Sequence, residues 1–361
     1  MQADTRRERS RNDATPEAEP RSRDPRSREP RSRGPRSRGP RSRLPRRCLR
    51  ALLAVLITAA IAVPLSAAAR PRVPAPPPAD LAPLTAQTLT QTYAANRANA
   101  ELASRMAAEH GDRHRAEADH ALAGASRDLL AFDGRGTGRA VEVLGDLAGA
   151  ERVAILIPGS DTSLDTYERF HRAAAALHRS LGQDSAAGRR TAVIAWLGYT
   201  TPRTVSTTAA TSDRAEEAAP ELREFVDDLR AVTGPSAHIS LLCHSYGSVV
   251  CGRAADGLDV DDLVLLGSPG TGADSAGELG TRARVWAARG ADDWVGEVPH
   301  AEVDLFGTKL GFGTDPISPS FGADVFAAGP GGHSDYFRPG SESLTNITRI
   351  VLGRTEEVTH A

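Results

Sequence analysis

From residue 134 to the C-terminus, short apolar runs alternate with longer amphipathic segments. Val153–Ile157 and Leu263–Leu266 are continuous apolar runs, as expected of strands buried on both faces. Tyr167–Leu181 and Glu216–Val232 instead repeat their apolar residues at helical spacing. This alternation predicts an α/β domain in which helices cover both faces of a mostly parallel sheet. The other predicted elements are the strands Ala140–Leu144, Thr191–Trp196, Ile239–Leu242, Arg284–Ala288 and Asp324–Ala328, a helix ending near Leu258, and a closing helix Glu342–Leu352.

The part of the chain before this domain divides into four segments of different composition. Residues 1–50 form a basic tail that is predicted to be disordered, and residues 51–69 are almost entirely apolar. Residues 70–83 are rich in proline and alanine, which predicts an extended linker. Residues 84–133 have apolar residues at helical spacing and predict a helical region. The α/β domain is accordingly assigned to residues 134–355.

Charge is unevenly distributed along the 361-residue chain. Residues 21–45 are five copies of Arg-Ser-Arg-x-Pro, which have a proline at every fifth position and almost nothing apolar to bury. The first 50 residues hold 17 arginines and 7 acidic residues, whereas the rest of the chain has a net charge of −12. An acidic body argues against nucleic acid as a partner.

The apolar segment 51–69 has the pattern of an export signal. Arg46, Arg47 and Arg50 precede a nearly apolar run of 13 residues, and small residues follow it. With 19 residues, the whole segment is also just long enough to span a bilayer. The arginines predict a cytoplasmic N-terminus and an extracytoplasmic body. Two outcomes stay open, namely cleavage to give a secreted protein and retention as an anchor in the cell membrane.

A short motif, Cys243-His244-Ser245-Tyr246-Gly247, carries the candidate chemistry. An apolar strand leads into it and a helix-compatible segment follows, which is the layout of a nucleophile elbow. The strained turn needs small residues two positions before and two positions after the serine. Gly247 meets the second requirement, while Cys243 stands where glycine is usual. Ser245 is therefore the candidate nucleophile, and the backbone N–H of Tyr246 is a candidate oxyanion donor.

A serine nucleophile needs a base, and the base needs an acid that orients it. In a parallel sheet these groups come from loops at the carboxyl ends of later strands, in the order serine, acid, histidine. The strand Arg284–Ala288 runs directly into such a loop. Asp293 is the candidate acid, because its Gly-x-x-Asp-x-Val context fits a strand end that turns into a loop. Asp292 is the alternative acid.

The candidate base is His333, which follows the last predicted strand. It lies in the loop Gly329-Pro330-Gly331-Gly332-His333, whose glycines allow the imidazole to return over the edge of the sheet. His300 is the alternative base. His244, next to Ser245, is expected to face away from the serine and to be a packed or hydrogen-bonded neighbour.

The loop after the strand Val153–Ile157 reads Pro-Gly-Ser-Asp-Thr-Ser and supplies a second candidate oxyanion donor. The backbone N–H of Ser160 is preferred, and that of Asp161 is the alternative. An ordinary strand–helix turn with an N-cap residue fits the same sequence. The side chains considered as pocket lining are those of Tyr199, Thr200, Thr201 and Tyr246.

The sequence indicates neither a metal site nor a cofactor. His110, His114 and His120 lie in the helical region without an accompanying arrangement of carboxylates or thiols, which favours a solvated helix face. The three cysteines include no Cys-x-x-Cys pair, so a disulfide framework and a zinc module are excluded. The sequence leaves open whether Cys243 and Cys251 pair in an exported protein.

Four segments are distinctive in combination. They are Val-Glu-Val-Leu-Gly-Asp (141–146), Ile-Pro-Gly-Ser-Asp-Thr-Ser (157–163), His-Ser-Tyr-Gly-Ser (244–248) and Gly-His-Ser-Asp-Tyr-Phe (332–337). Together they resemble the α/β-hydrolases, and more narrowly a family of mostly exported bacterial α/β-hydrolase-like domains of unknown function. The resemblance covers about residues 135–352 and implies a triad of Ser245, His333, and Asp293 or Asp292. It implies no particular substrate.

The resulting hypothesis is an exported or membrane-tethered serine hydrolase of the esterase or lipase type. It cleaves a carboxylic ester, or an amide, through an acyl-enzyme formed on Ser245. The expected partner is a small-molecule or lipid-like ester, and the membrane is a second partner if residues 51–69 are not cleaved. The alternative is a catalytically inactive hydrolase-like domain that binds a component of the cell envelope.

Overall fold

The computed structural model describes residues 73–361, apart from 185–189, 205–210, 298–302 and 306–307. Residues 71–361 form one unit. The predictions for the basic tail and for the apolar segment 51–69 concern residues outside the described part of the chain. Among the helices that the structure does describe, none is long and apolar enough to cross a membrane.

In the described part of the chain, eight strands form one sheet, and two short strands form a separate antiparallel pair. The strands are β1 (Asp128–Asp133), β2 (Arg139–Leu144), β3 (Arg152–Ile157), β4 (Thr191–Leu197), β5 (His238–His244), β6 (Asp262–Leu266), β7 (Arg284–Ala288), β8 (Val303–Leu305), β9 (Thr308–Leu310) and β10 (Asp324–Val325). The main sheet has the order β1-β2-β4-β3-β5-β6-β7-β10, and β8 pairs with β9. All neighbours from β4 to β10 are parallel, while β2 is antiparallel to β4 and β1 to β2. The predicted mostly parallel sheet is confirmed.

Helices cover both faces of this sheet. The helices in the described part of the chain are α1 (Leu89–Glu109), α2 (Arg113–Leu122), α3 (Tyr167–Asp184), α4 (Asp213–Thr233), α5 (Gly247–Ala254) and α6 (Glu342–Val351). Buried side chains of α4 and α5 form one core with the sheet, and those of α3 and α6 form another. Helices α1 and α2 pack against each other near the β1 end of the sheet.

The continuous apolar strands contribute side chains to both of these cores. Val153 and Ile155 of β3 face the core that contains α4 and α5, whereas Ala154 and Leu156 face the core that contains α3 and α6. Successive side chains of a strand point to opposite faces, so a strand buried on both sides must be apolar throughout. The central strands therefore lie in the middle of the molecule, and their carboxyl ends form the edge from which the candidate loops leave.

One predicted helix boundary is wrong. The region 84–133 was predicted to be helical to its end, but residues 128–133 form the edge strand β1. Leu129 and Phe132 of this strand are buried, and a bulge between Leu129 and Ala131 interrupts its pairing with β2. Asn96, buried on α1, donates from its amide to the carbonyl oxygens of Leu129 (3.0 Å) and Leu130 (2.9 Å). Helix α1 thus supplies hydrogen-bond donors that a further strand would otherwise provide.

The proline-rich stretch, predicted to be an extended linker, has no helix or strand in its described part, residues 73–83. It nevertheless lies against the domain. Pro76 is buried, and the side-chain amide of Asn99 on α1 donates to the carbonyl oxygen of Pro77 at 2.9 Å. Pro76 and Pro77 therefore contact the domain, whereas several later residues of the stretch are exposed.

The last strand is shorter than predicted. A strand was predicted over Asp324–Ala328, but β10 spans only Asp324–Val325. The backbone N–H of Ala327 instead donates to the carbonyl oxygen of Thr359 at 2.8 Å. Pairing with the C-terminal segment therefore draws the chain away from β7 shortly before the glycine-rich loop.

Candidate active site

Ser245 lies in the tight turn between β5 and α5. Its φ of 55° is in the left-handed region, which residues other than glycine rarely adopt. A Cβ at Gly247 would lie 2.7 Å from the carbonyl oxygen of Ile157 and 2.8 Å from that of Pro158. Glycine is therefore required where the turn packs against the end of β3, and the strained turn has the geometry of a nucleophile elbow.

Cys243 and Cys251 are joined by a disulfide. Their Cα atoms lie 6.4 Å apart, because α5 folds back beside the end of β5. Both side chains are fully buried. The bond answers the question of pairing that the sequence leaves open, and it ties together the strand and the helix that flank Ser245.

The imidazole of His333 lies between Ser245 and Asp293. Its Nε2 is 2.9 Å from the Oγ of Ser245, and its Nδ1 is 2.9 Å from the Oδ1 of Asp293. A carboxylate only accepts hydrogen bonds, so the hydrogen of a neutral ring is on Nδ1. Nε2 is then free to accept the hydroxyl hydrogen of Ser245. The structure thus brings together the three side chains that the sequence analysis selected.

The carboxylate of Asp293 is completely buried and accepts three hydrogen bonds. Besides His333, its donors are the backbone N–H of Val295 at 2.9 Å and the hydroxyl of Tyr336 at 2.5 Å. Burial alone would raise the pKa of Asp293, but the hydrogen bonds outweigh burial and lower it to about 2. Asp292, the alternative acid, is exposed and does not contact the imidazole. His300, the alternative base, lies outside the described residues.

Tyr336 contacts the candidate triad, although the sequence predicted no role for it. Its hydroxyl donates to Asp293 and accepts the backbone N–H of Gly290 at 3.1 Å. Burial, and then the hydrogen bond to the carboxylate, raise the pKa of Tyr336, so the phenol stays protonated as a donor. The sequence offered a signal for a role of Tyr336, because this residue follows His333 by three residues in the same loop. Its partner Asp293, however, lies 43 residues earlier in the chain.

His244 faces away from the serine, as the sequence analysis expected. Its Nε2 donates to the backbone carbonyl oxygen of His333 at 2.6 Å. Burial lowers the pKa of His244 to about 4, and the neighbouring His333 adds to this effect. His244 is therefore a neutral donor that holds the backbone carrying the candidate base.

The loop that carries Asp293 and the loop that carries His333 contact each other directly through their backbones. A Cβ on Gly290 would overlap the carbonyl oxygen of Gly331. Gly290 begins the loop that carries Asp293, and Gly331 lies in the histidine loop, residues 329–337. The backbone N–H of Ala291 also donates to the carbonyl oxygen of Gly329 at 3.0 Å. The spacing of acid and base is therefore set by direct backbone contact.

The candidate oxyanion donors border Ser245, the candidate nucleophile. In the described part of the chain, no protein acceptor engages the backbone N–H of Tyr246 or that of Ser160. A Cβ on Gly159 would lie 3.1 Å from the Oγ of Ser245, so the loop passes directly beside the serine. The N–H of Asp161, the alternative donor, is already bonded to the carbonyl oxygen of Pro202 at 2.9 Å.

A cavity of about 460 Å³ opens beside Ser245. One side is formed by residues 158–162 and the beginning of α3, and another by the histidine loop and Trp294. Leu156 and Leu242 contribute apolar surface. The cavity thus places the Ser245 hydroxyl next to space for a bound molecule.

The pocket lining was predicted wrongly. The hydroxyl of Tyr199 donates to the carbonyl oxygen of Pro158 at 2.7 Å, and that of Tyr246 donates to the carbonyl oxygen of Thr211 at 2.8 Å. Both tyrosines are buried; Tyr199 supports the backbone of the cavity wall at Pro158, and Tyr246 supports a backbone segment at Thr211. None of the four side chains considered from the sequence lines this cavity, namely Tyr199, Thr200, Thr201 and Tyr246.

No cluster of three or more histidine, cysteine, aspartate or glutamate side chains is arranged around a common point among the described residues. The helical-region histidines have separate partners. His120 contacts Glu101 at 2.9 Å, and His114 lies 3.8 Å from Asp165.

Comparison with known proteins is consistent with this geometry. Residues 133–303 match a family model described as an alpha/beta hydrolase. An uncharacterized protein of Mycobacterium tuberculosis is 30% identical over an alignment of 262 residues, and this alignment covers 63% of this chain and 38% of the relative. The chain thus spans about two-fifths of that relative's length. An uncharacterized protein of Mycobacterium bovis is 35% identical over an alignment of 145 residues, and this alignment covers 38% of this chain and 54% of the relative.

Among solved structures, the crystal structure of esterase PE8 is similar to this chain at 18% identity and a TM-score of 0.40. The similarity covers 58% of this chain and 96% of the esterase. The fold of this chain is assigned from the sheet order, the strained turn at Ser245 and the family match over residues 133–303. The domain that contains the sheet has the α/β-hydrolase fold.

Proposed function

We propose that the protein is a serine hydrolase that cleaves a carboxylic ester through an acyl-enzyme. The observation that carries this proposal is the continuous hydrogen-bonded chain from Ser245 through His333 to Asp293, with 2.9 Å at each step. This arrangement supplies a nucleophile, a general base and an orienting acid in the order that serine hydrolysis requires.

In the first half of the reaction, the Oγ of Ser245 attacks the ester carbonyl carbon while the Nε2 of His333 takes the hydroxyl proton. The carbonyl electrons move onto the oxygen, which the N–H groups of Tyr246 and Ser160 stabilise. Collapse of this intermediate breaks the bond to the alcohol. The leaving alcohol receives the proton from Nε2, and the acyl group stays on Ser245.

In the second half, a water molecule replaces the alcohol. His333 takes a proton from the water as its oxygen attacks the acyl carbon. Collapse of this second intermediate breaks the bond between the acyl carbon and the Oγ of Ser245, releases the carboxylic acid, and returns the proton from His333 to that Oγ. Asp293 keeps its negative charge throughout, because three hydrogen bonds lower the pKa of this carboxyl to about 2. The charge stabilises the imidazolium that forms in each half of the cycle.

A carboxylic ester with an apolar acyl part fits the cavity best. Phe170 and Phe337 add aromatic surface to that of Leu156 and Leu242 around the nucleophile. Such surface favours burial of hydrocarbon. Hydrolysis rates of a series of model esters with increasing acyl length would define how much of the cavity the acyl group occupies.

We also propose that the body acts outside the cytoplasm, secreted or anchored in the cell membrane. The disulfide between Cys243 and Cys251 supports this proposal, since disulfides persist mainly in oxidising compartments. The arginine-flanked apolar segment 51–69 supports it independently. Cell fractionation combined with N-terminal sequencing of the exported form would test export and distinguish cleavage from anchoring.

The catalytic proposal is tested with a fluorophosphonate probe, which reacts with activated serines. We expect the wild type to be labelled and Ser245→Ala to be unlabelled. The same substitution should lower kcat/KM for a model ester by a factor of about a thousand or more. Labelling on gels and initial rates of ester hydrolysis are the measurements.

Ser334→Ala is the matched control. Ser334 is exposed and also lines the cavity, but it has no place in the proposed chemistry. Its substitution should therefore preserve labelling. A folded wild-type protein that is neither labelled nor active on any model ester would contradict the proposal and favour a hydrolase-like binding domain of the cell envelope.

A further inference from the structure

Arg169 lies in the first turn of α3 and lines the cavity that contains Ser245. It is the one arginine among the described residues that line this cavity, and no lysine lines it. In the described part of the chain, Arg169 has neither a hydrogen bond nor an ion pair. Its guanidinium therefore offers five unused N–H donors and a permanent positive charge to the cavity.

The carboxylates of the same region are already engaged by protein donors. Asp293 accepts hydrogen bonds from His333, Tyr336 and the backbone of Val295. Asp161, which lines the cavity, accepts both the backbone N–H and the hydroxyl of Thr204 on its Oδ2. The acids of the site thus have partners within the protein, whereas the one cation does not.

Arg169 also acts electrostatically on the candidate site. Burial is the main cause of the low pKa of His244, and the charge of Arg169 lowers that pKa further. The effect requires that the guanidinium be near the residue that precedes Ser245. Arg169 is exposed to solvent and also lines the cavity, within electrostatic range of His244.

The positive charge of Arg169 contrasts with the net negative charge of the chain after residue 50. The residues after position 50 have a net charge of −12, so the body as a whole repels anions. A preference for an anionic ligand at the cavity would have to come from a cation placed there. Guanidinium groups bind carboxylates in this way, through paired charge-assisted hydrogen bonds.

We propose that Arg169 binds an anionic group of the substrate, so that the preferred ester carries a carboxylate in addition to its scissile bond. This inference rests on the proposed ester hydrolysis. The aromatic side chains of Phe170, Phe337 and Trp294 line the same cavity and provide apolar surface for the part of the substrate between the two groups. Arg169 is thereby a specificity-determining residue.

The test compares matched pairs of esters that differ only in one charge. On the acyl side, the pair is the 4-nitrophenyl monoester of adipic acid and its methyl-capped neutral analogue. On the alcohol side, the pair is 4-carboxyphenyl butyrate and the corresponding methyl benzoate ester. For one pair, Arg169→Gln should lower kcat/KM of the anionic member by about threefold to tenfold, and that of the neutral member by less than about twofold.

Arg172→Gln is the matched control, because Arg172 is exposed on the same helix and does not line the cavity. It should leave the charge preference unchanged. Added salt should reduce the preference of the wild type. The pair that responds to Arg169→Gln identifies the side of the ester that carries the anion. An equal effect of Arg169→Gln on both members of both pairs, or an equal effect of Arg172→Gln, would overturn the inference.

Binding of inert probes separates this inference from the catalytic proposal. Isothermal titration calorimetry of the full chain with 4-phenylbutyrate and with 4-phenylbutanamide requires no turnover. We expect the carboxylate to bind more tightly, and we expect Arg169→Gln to remove the difference. Ester hydrolysis without any charge preference would refute the role of Arg169 alone. Absent labelling and turnover would refute the catalytic proposal, and the titration would still decide the role of Arg169.

Discussion

At the scale of single residues, His244, which precedes the candidate nucleophile, has a structural role. His244 donates to the carbonyl oxygen of His333, and burial lowers its pKa to about 4. The neutral imidazole of His244 therefore links the turn at Ser245 to the loop that carries His333. Protonation of His244 places a charge in a partly buried position beside His333, so it should weaken the folded state.

The free energy of unfolding should accordingly fall as the pH decreases from about 6.5 to about 4. The unfolded chain takes up the proton of this histidine near pH 6.5, whereas the folded protein resists it until about pH 4. Stability from this group is complete above about pH 6.5, and up to about 3 kcal/mol is lost across the interval. Urea denaturation at a series of pH values measures the loss.

The variant His244→Asn can still donate a hydrogen bond but does not titrate. We expect its stability to fall less steeply than that of the wild type over this interval. His110→Asn, at an exposed histidine that follows α1, is the control and should keep the wild-type slope. Parallel slopes for the wild type and His244→Asn would show that His244 does not cause the loss.

Single residues could be selected from the sequence when a known chemical order constrained them. Ser245, Asp293 and His333 were chosen because each follows a predicted strand in the required sequence of roles. Tyr336 and His244 could not be assigned partners in this way. Their contacts, with Asp293 and with the carbonyl of His333, join loops 43 and 89 residues apart and exist only after the sheet has formed.

At the scale of elements, the strand β5, the turn at Ser245 and the helix α5 behave as one covalently closed unit. The disulfide between Cys243 and Cys251 spans a sequence separation of 8 residues. It restricts the unfolded chain, and by the chain-entropy model a loop of this size stabilises the fold by about 2.5 kcal/mol. The bond should therefore resist local opening of the strained turn.

The double variant Cys243→Ala, Cys251→Ala should unfold at a lower denaturant concentration than the wild type, with a loss of about 2.5 kcal/mol in the free energy of unfolding. Denaturation with and without a reductant provides the internal control. The reductant should lower the midpoint of the wild type and leave that of the double variant unchanged. A double variant as stable as the oxidised wild type would mean that the bond adds nothing to stability.

Most elements were predicted because apolar pattern and element type agree along this chain. Periodicity distinguished the amphipathic helices α3 and α4 from the continuous apolar strands between them. It failed at β1, because Asp128–Asp133 follows two helices directly and its alternation is short. The strand is recognisable only from its tertiary pairing with β2, which a local pattern does not contain.

At the scale of the whole molecule, the helices before the sheet complete its edge. The bulge in β1 leaves the carbonyl oxygens of Leu129 and Leu130 facing α1, where the amide of Asn96 binds both. An uncovered sheet edge is a site for unwanted strand pairing. The helical region therefore contributes to the stability of the described unit, and its removal would expose backbone acceptors.

Asn96→Ala should lower the free energy of unfolding by about 1 to 3 kcal/mol, because two carbonyl groups lose their donor. Gln91→Ala is the matched control, since it removes an exposed side-chain amide from the same helix. Chemical denaturation of both variants measures the difference. Equal stabilities of Asn96→Ala and Gln91→Ala would contradict a role of Asn96 at the sheet edge.

The fold class could be predicted from the sequence because alternating apolar runs and amphipathic segments allow few layered arrangements. The α/β-hydrolase fold is confirmed. The residues that line the cavity could not be predicted in this way. Tyr199 and Tyr246 have the aromatic and hydroxyl character of pocket residues, but their hydroxyls are used to hold the backbone at Pro158 and Thr211. Side-chain direction at a strand end depends on packing that the sequence pattern does not specify.

The contact between Gly290 and Gly331 limits how this scaffold can change. A methyl group at position 290 would collide with the carbonyl oxygen of residue 331, and the two loops would have to separate. Separation would pull the carboxylate and the imidazole apart, although neither side chain had been altered. Engineered diversification of the cavity rim can therefore vary Ser334 or Trp294, but it must keep both glycines.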